Sequence, residues 1–144
     1  NFTWIPLFLI GLGAVGSGLG WLLHPEPWML DQPPNEALLQ TSFSNLFAAD
    51  INAHLQDYLQ VIYRFFGWWV SSIGILIMTY VQVTRMGTAL ARNSILSVSL
   101  FILIGATYMV LNFIPLSPFK TVLYLQAALW LISAYFSTQL KDDS

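Results

Sequence analysis

The chain has 144 residues, of which 56% are hydrophobic and only 8% are charged. A soluble domain averages about 25% charged residues, so a chain this poor in charge could not cover its own surface in water. The net charge of −2, with only five cationic residues, excludes a basic surface that binds nucleic acid. The absence of cysteine excludes disulfides, thiol chemistry and cysteine-ligated metals.

Four apolar segments fill most of the chain, at about 4–23, 59–83, 94–116 and 121–140. A helix that spans a bilayer needs about 20 predominantly apolar residues, which is the length of each segment. The sequence therefore predicts an all-α fold, a bundle of four transmembrane helices that forms a single integral membrane domain over residues 1–144.

The first segment is rich in glycine. Gly16 and Gly20 form a GxxxG pair, and Gly13 and Ser17 extend a ridge of small residues. Such ridges let two helix backbones approach closely in a membrane, so we expect this one to contact another helix. The stretch 11–16 also matches the GxGxxG dinucleotide fingerprint, but that motif needs a preceding strand and further βα units, which the chain does not offer.

Residues 24–58 form the one long loop between the first two spans. Its first part, 25–35, is rich in proline and is predicted to be irregular. From Glu36 to Tyr58, apolar residues recur at steps of three and four, which is the period of an amphipathic helix. This stretch is too polar to span, so it predicts an extra helix that lies at the membrane interface or caps the bundle.

Basic residues in short loops favour the cytoplasmic side. Arg85 and Arg92 share the loop between the second and third spans, and Lys141 falls on the same side. Arg64 and Lys120 are on the opposite side. The sequence therefore predicts a multi-pass protein whose termini and Arg85/Arg92 loop are cytoplasmic, while the loop 24–58 is external.

One polar pattern stands out near the start of the second span, and its members are Asp50, His54, Asp57 and Arg64. On a continuous helix these residues fall on nearly one face. Two carboxylates that flank an imidazole could bind a divalent metal or relay protons. The alternative is a polar face turned to water. Two histidines in the whole chain are few for a metal enzyme, so no metal ligand and no catalytic residue is assigned.

Arg64 is the strongest single candidate because it lies within an apolar span. A charged residue there faces the bundle, pairs with an acid or extends to the interface, since exposure to lipid is costly. Three interpretations stay open: an ion pair with Asp57, Asp50 or another carboxylate of the loop, a contact with a bound ligand, and extension to headgroup phosphate. The predicted ligand-binding residues are Arg64, Tyr63, Asp57, His54, Asp50, Trp68, Tyr108 and Asn112.

Two stretches carry a family resemblance. A glycine-rich first span ends in the proline-containing segment 20–27, and Tyr63-Arg64-Phe65-Phe66-Gly67 opens a second span that contains Gly74. This layout resembles small bacterial four-helix membrane proteins of the DoxX-like kind. The resemblance implies the four-helix fold and an association with respiratory or redox membrane complexes. The long external loop departs from the shortest members of that group.

These observations favour a non-catalytic function: a small integral membrane accessory subunit, or a protein that binds lipid or another hydrophobic ligand. The expected partners are membrane lipids and other membrane protein subunits, and no nucleic acid. No cofactor is predicted, and a quinone or a lipid is the ligand class considered. The alternative is a membrane enzyme or redox-complex component with an outer-face site built on Arg64 and on Asp50, His54 and Asp57.

Overall fold

The computed structural model describes residues 2–140, and this part of the chain contains helices and no strands. Its α-helices are α1 (Trp4–Leu23), α2 (Gln32–Leu39), α3 (Phe43–Ala48), α4 (Leu55–Thr84), α5 (Ala89–Phe113) and α6 (Phe119–Thr138). Helices α1, α4, α5 and α6 are each long and apolar enough to cross a membrane, which confirms four candidate spans. Lys141, one of the residues behind the predicted orientation, lies outside the described residues.

The long loop differs from its prediction. The single helix expected from Glu36 to Tyr58 is not found, because the stretch is broken in three places. Helix α2 ends where Gln40 adopts a left-handed conformation with φ 54°, and α3 starts afresh at Ser42, whose hydroxyl accepts the Asn45 N–H at 3.2 Å. Ser42 is thus an N-cap, which satisfies a backbone donor that a continuous helix would have paired internally. Residues 50–52 then form a 3-10 turn before α4.

The four long helices form a ring with one open side. Helix α1 packs along α4, α6 packs on both α1 and α5, and the backbones of α4 and α5 stay apart along most of their length. Because α4 and α5 are joined by only a few residues, their separation is unexpected from chain order. We call the end of the bundle with Arg85 and Arg92 the basic end, and the end covered by residues 24–54 the loop end.

Glycines create the close contact between α1 and α4. A methyl group at Gly74 would lie 2.5 Å from the Gly11 carbonyl oxygen, and one at Gly67 would lie 2.5 Å from the Gly18 carbonyl oxygen. The ridge that meets another helix is therefore Gly11 and Gly18. At Gly16 an added methyl would meet nothing within 4 Å, so the predicted helix contact of the Gly16–Gly20 pair is not made within this chain, and a contact between subunits stays a prediction.

The basic end contains a cluster of buried apolar residues that forms a hydrophobic core. Its buried residues come from α1, α4, α5 and the turn between α4 and α5, and they are Leu7, Ile10, Ile77, Val81, Met86, Ile95 and Leu96. Arg92 is buried beside this core and donates from its guanidinium to the carbonyl oxygens of Met86 and Gly87, both at 3.2 Å. The turn is thereby held against the start of α5.

Candidate functional site

The predicted polar stripe does not converge on one point. Asp50 lies in the 3-10 turn, His54 precedes α4, and Asp57 is in the first turn of α4. All three side chains are exposed. Within residues 2–140, no three His, Asp or Glu side chains come together as metal ligands do. The stripe fails because the helix that would have aligned it begins only at Leu55.

Arg64 is exposed as well. In the part of the chain that the structure describes, no carboxylate forms an ion pair with it, so the predicted contact with Asp50 or Asp57 is not made. Arg64 shares a helical stripe with Gly67, which meets α1, but it lies one turn closer to the loop end. Since α1 ends at Leu23, no neighbouring helix covers Arg64 there.

Tyr63, in contrast, lines a pocket of about 290 Å³ between α2, α3 and the start of α4. Its hydroxyl accepts a hydrogen bond from the Asn35 amide at 2.7 Å. The other lining residues are apolar, and they are Leu38, Leu39, Phe43, Leu46, Leu55 and Leu59. The structure therefore places this predicted residue at the edge of an apolar space beneath the loop.

The remaining predicted residues lie away from that pocket. Trp68 and Tyr108 are about 60% exposed on the outer surfaces of α4 and α5. The Asn112 amide donates to the Tyr108 carbonyl of its own helix at 2.8 Å. The Asn112 amide thus pairs within its own helix, and Tyr108 and Asn112 lie on α5 whereas Arg64 lies on α4.

An apolar cleft of about 380 Å³ separates α4 from α5. It is lined by Ile73, Leu76, Ile77 and Tyr80 of α4 and by Ser94, Ile95, Val98 and Ile102 of α5. The Tyr80 hydroxyl donates to the Ala91 carbonyl at 3.2 Å and closes the cleft at the basic end. This cleft could not be predicted from the sequence, because the sequence alone does not indicate which helix faces remain without a neighbouring helix.

A second cavity of about 160 Å³ lies inside the ring, with walls from all four long helices. It shares Ile73 and Ile102 with the cleft, so the two spaces adjoin. Trp21 lines its loop end and stacks on Phe119 with ring centroids 4.6 Å apart. Two polar side chains, Ser17 and Gln126, also line this cavity.

Asp31 is a buried acid at the loop end that the sequence analysis did not single out. Its Oδ2 accepts a hydrogen bond from the Trp21 indole N–H at 3.2 Å, whereas its Oδ1 is buried without a partner in the described structure. Burial raises the pKa of Asp31, and the Trp21 hydrogen bond opposes that rise. One sequence feature could have indicated a buried acceptor here. A tryptophan lies at the end of an apolar span, and the N–H of a buried tryptophan usually finds a hydrogen-bond acceptor.

No family model matches this chain, and comparisons with curated proteins and with solved structures found no match either. The DoxX-like resemblance therefore stays a prediction.

Proposed function

We propose that this protein binds the hydrocarbon chain of a lipid or of another hydrophobic ligand in the cleft between α4 and α5. The observation that carries the proposal is the separation of two helices that are neighbours in the chain, with apolar side chains lining the space between them. Ligand pockets measure about 300–1,000 Å³ and are mostly apolar, and this cleft of about 380 Å³ falls within that range.

The cleft is bounded at both ends, which suits a flexible chain that enters from the side. The Tyr80–Ala91 hydrogen bond joins α4 to α5 at the basic end. At the loop end, Leu38 of α2 lines two different pockets. It lines one together with Tyr63 of α4 and the other together with Phe113 of α5. Helix α2 thus lies near the loop-end parts of both α4 and α5, and the middle of the cleft stays open.

Labelling with a photoactivatable phospholipid that carries a diazirine in its acyl chain tests this proposal. We expect Val98→Trp to fill the cleft and to remove most labelling of α4 and α5. Leu125→Trp is the matched control, because Leu125 is similarly exposed on α6 and lines neither space. Equal labelling of the two variants at the cleft would contradict the proposal.

The other predicted functions gain no specific support. The exposed apolar surfaces of α4, α5 and α6 would suit lipid and another subunit equally well, so an accessory-subunit role stays a prediction. The enzyme or redox alternative relied on Arg64, Asp50, His54 and Asp57, all of which are exposed and unassembled.

We also propose the orientation that the basic residues indicate, with Arg85 cytoplasmic and the loop 24–54 external. The chain has no cysteine, so single cysteines can be introduced at the exposed residues Asn45 and Gly87. A membrane-impermeant thiol reagent should label Asn45→Cys from outside and Gly87→Cys only after the membrane is opened. The opposite result would reverse the orientation.

A further inference from the structure

Two half-buried polar side chains without a hydrogen-bond partner in the described part of the chain line the same cavity. Ser17 of α1 and Gln126 of α6 both line the interior cavity, and neither has a hydrogen-bond partner within residues 2–140. The Gln126 amide nitrogen lies 3.7 Å from where a methyl group on Gly13 would be. Gly13 is one helical turn from Ser17, so the amide rests against the stretch of α1 that carries the hydroxyl.

The two side chains also lie at the same depth. Ser17 is six residues before the end of α1, and Gln126 is seven residues after the start of α6, on an antiparallel neighbour. At 1.5 Å per residue, each is about 10 Å inside the bundle from the loop end. Bilayer hydrocarbon offers no hydrogen bonds at such depth, so unpartnered polar groups there carry a free-energy cost. A ligand that supplies the missing partner would remove that cost.

The chemistry of the walls restricts what the ligand can be. No charged side chain lines the cleft or the interior cavity. A carboxamide and a hydroxyl can each donate and accept a hydrogen bond, which matches hydroxyl or carbonyl oxygens on the ligand. An ionised head would be buried without a counter-charge, which is far more costly than burying a neutral one. The walls therefore favour a neutral head on a long hydrocarbon chain.

We propose that Ser17 and Gln126 bind the oxygen-bearing head of a neutral lipid whose chain lies in the α4–α5 cleft. This inference rests on the proposed function of the cleft and names its ligand class. The shared residues Ile73 and Ile102 mark the point where the head cavity meets the chain cleft.

Three diazirine probes of equal chain length test this assignment on the full chain in detergent. They are a monoacylglycerol, an alkane without a head, and a fatty acid ionised at pH 8. We expect the monoacylglycerol to label the cleft about five- to tenfold more than the alkane, since each neutral hydrogen bond contributes roughly twofold to tenfold. The fatty acid should label less than the monoacylglycerol.

Gln126→Leu should bring monoacylglycerol labelling down to the alkane level and leave alkane labelling unchanged, which also shows that the variant is folded. Ser17→Ala should reduce the preference partly. Gln82→Leu is the control, because Gln82 is an exposed amide on α4 that lines neither space. A monoacylglycerol preference that survives Gln126→Leu, or a fatty acid that labels best, would overturn the head site alone. Absence of labelling by every probe would overturn the cleft proposal, and the head site with it.

Discussion

Helix α4 has two faces that meet their neighbours in opposite ways. One face carries Gly67 and Gly74, and its backbone touches that of α1. The other carries Ile73 and Leu76, and its backbone stays apart from that of α5 across an apolar cleft. In lipid, helices gain little from burying apolar surface against each other, so shape decides which faces pack. Small residues permit backbone contact, and branched side chains leave a gap that hydrocarbon can fill.

The difference assigns separate roles to the two faces. The α1–α4 contact fixes α4 in position from Gly67 to Gly74, at the depth of the interior cavity. The cleft side can then stay open without loss of the fold, because α5 packs on α6 and shares the core at the basic end with α4. If the cleft binds a ligand chain as proposed, the chain would occupy a space that is already open between the two helices.

Overfilling the α1–α4 contact should have the largest effect. A side chain at Gly18 would collide with the Ser71 hydroxyl and, at 2.5 Å, with the Gly67 carbonyl oxygen. Backbone atoms cannot move aside as a flexible side chain can, so Gly18→Leu should cost at least about 3 kcal/mol, the upper part of the usual range for overpacking. Thermal unfolding in detergent measures this loss.

Gly16→Leu is the control for that substitution, because the site beside Gly16 is open. Both variants replace a glycine of α1 by leucine, so the change in helix propensity is the same in the two and does not affect the difference between them. We expect its unfolding temperature to stay close to that of the unmodified protein. Similar losses for both variants would mean that α1 meets α4 through a different face.

Adjacent residues of α4 should show where the packed core gives way to the cleft. Ile77 is 5% exposed and belongs to the core cluster, whereas Leu76 is 68% exposed although it lines the same cleft. Ile77→Ala should cost about 2–5 kcal/mol because it leaves a cavity among packed side chains. Leu76→Ala should cost under about 1 kcal/mol, within the range of exposed substitutions. Equal costs would show that the cleft is closed in solution.

A smaller effect is expected at Asp31, which helps to hold the loop over the open ring. Its pKa is raised in the folded protein, so the folded state binds the proton more tightly than the unfolded state. Its protonated form therefore stabilises the fold below the unfolded pKa near 3.8, and this contribution is lost as the pH rises through the folded pKa. Asp31→Asn should keep the Trp21 hydrogen bond and remove this dependence.

Unfolding of the unmodified protein and of Asp31→Asn between about pH 3 and pH 8 measures the Asp31 effect. Glu36→Gln separates the opposite contribution, because the Phe43 backbone N–H and the Gln32 amide lower the pKa of Glu36. That stabilisation is present above the unfolded pKa of 4.5 and is lost as the pH falls through the folded pKa. If the free energy of unfolding of Asp31→Asn depends on pH in the same way as that of the unmodified protein, ionisation of Asp31 does not destabilise the fold.

The sequence predicted what depends on local composition and missed what depends on the pairing of faces. The spans followed from apolar length, since any 20-residue apolar helix meets the same bilayer. The loop helix failed at Gln40 and Ser42, where one left-handed residue and one N-cap outweigh a correct apolar period. The cleft and the cavity lined by Ser17 and Gln126 could not be predicted from the sequence, because both depend on which helix faces turn toward each other.

Arg64 gives the smallest expected effect, and it tests where the packed face of α4 ends. It lies on the stripe of Gly67, one turn closer to the loop end, and Gln60, a further turn along α4, donates from its amide to the Pro25 carbonyl just after α1. The C-terminal end of a helix carries a partial negative charge, which stabilises a nearby cation by about 0.3–1 kcal/mol. Arg64→Lys should therefore be neutral, and Arg64→Leu should lose no more than that amount, with the loss shrinking at high salt. Unfolding at two ionic strengths measures both variants. A salt-insensitive loss of about 3–5 kcal/mol for Arg64→Leu would instead indicate a broken buried ion pair, and would restore Arg64 as the centre of a polar site.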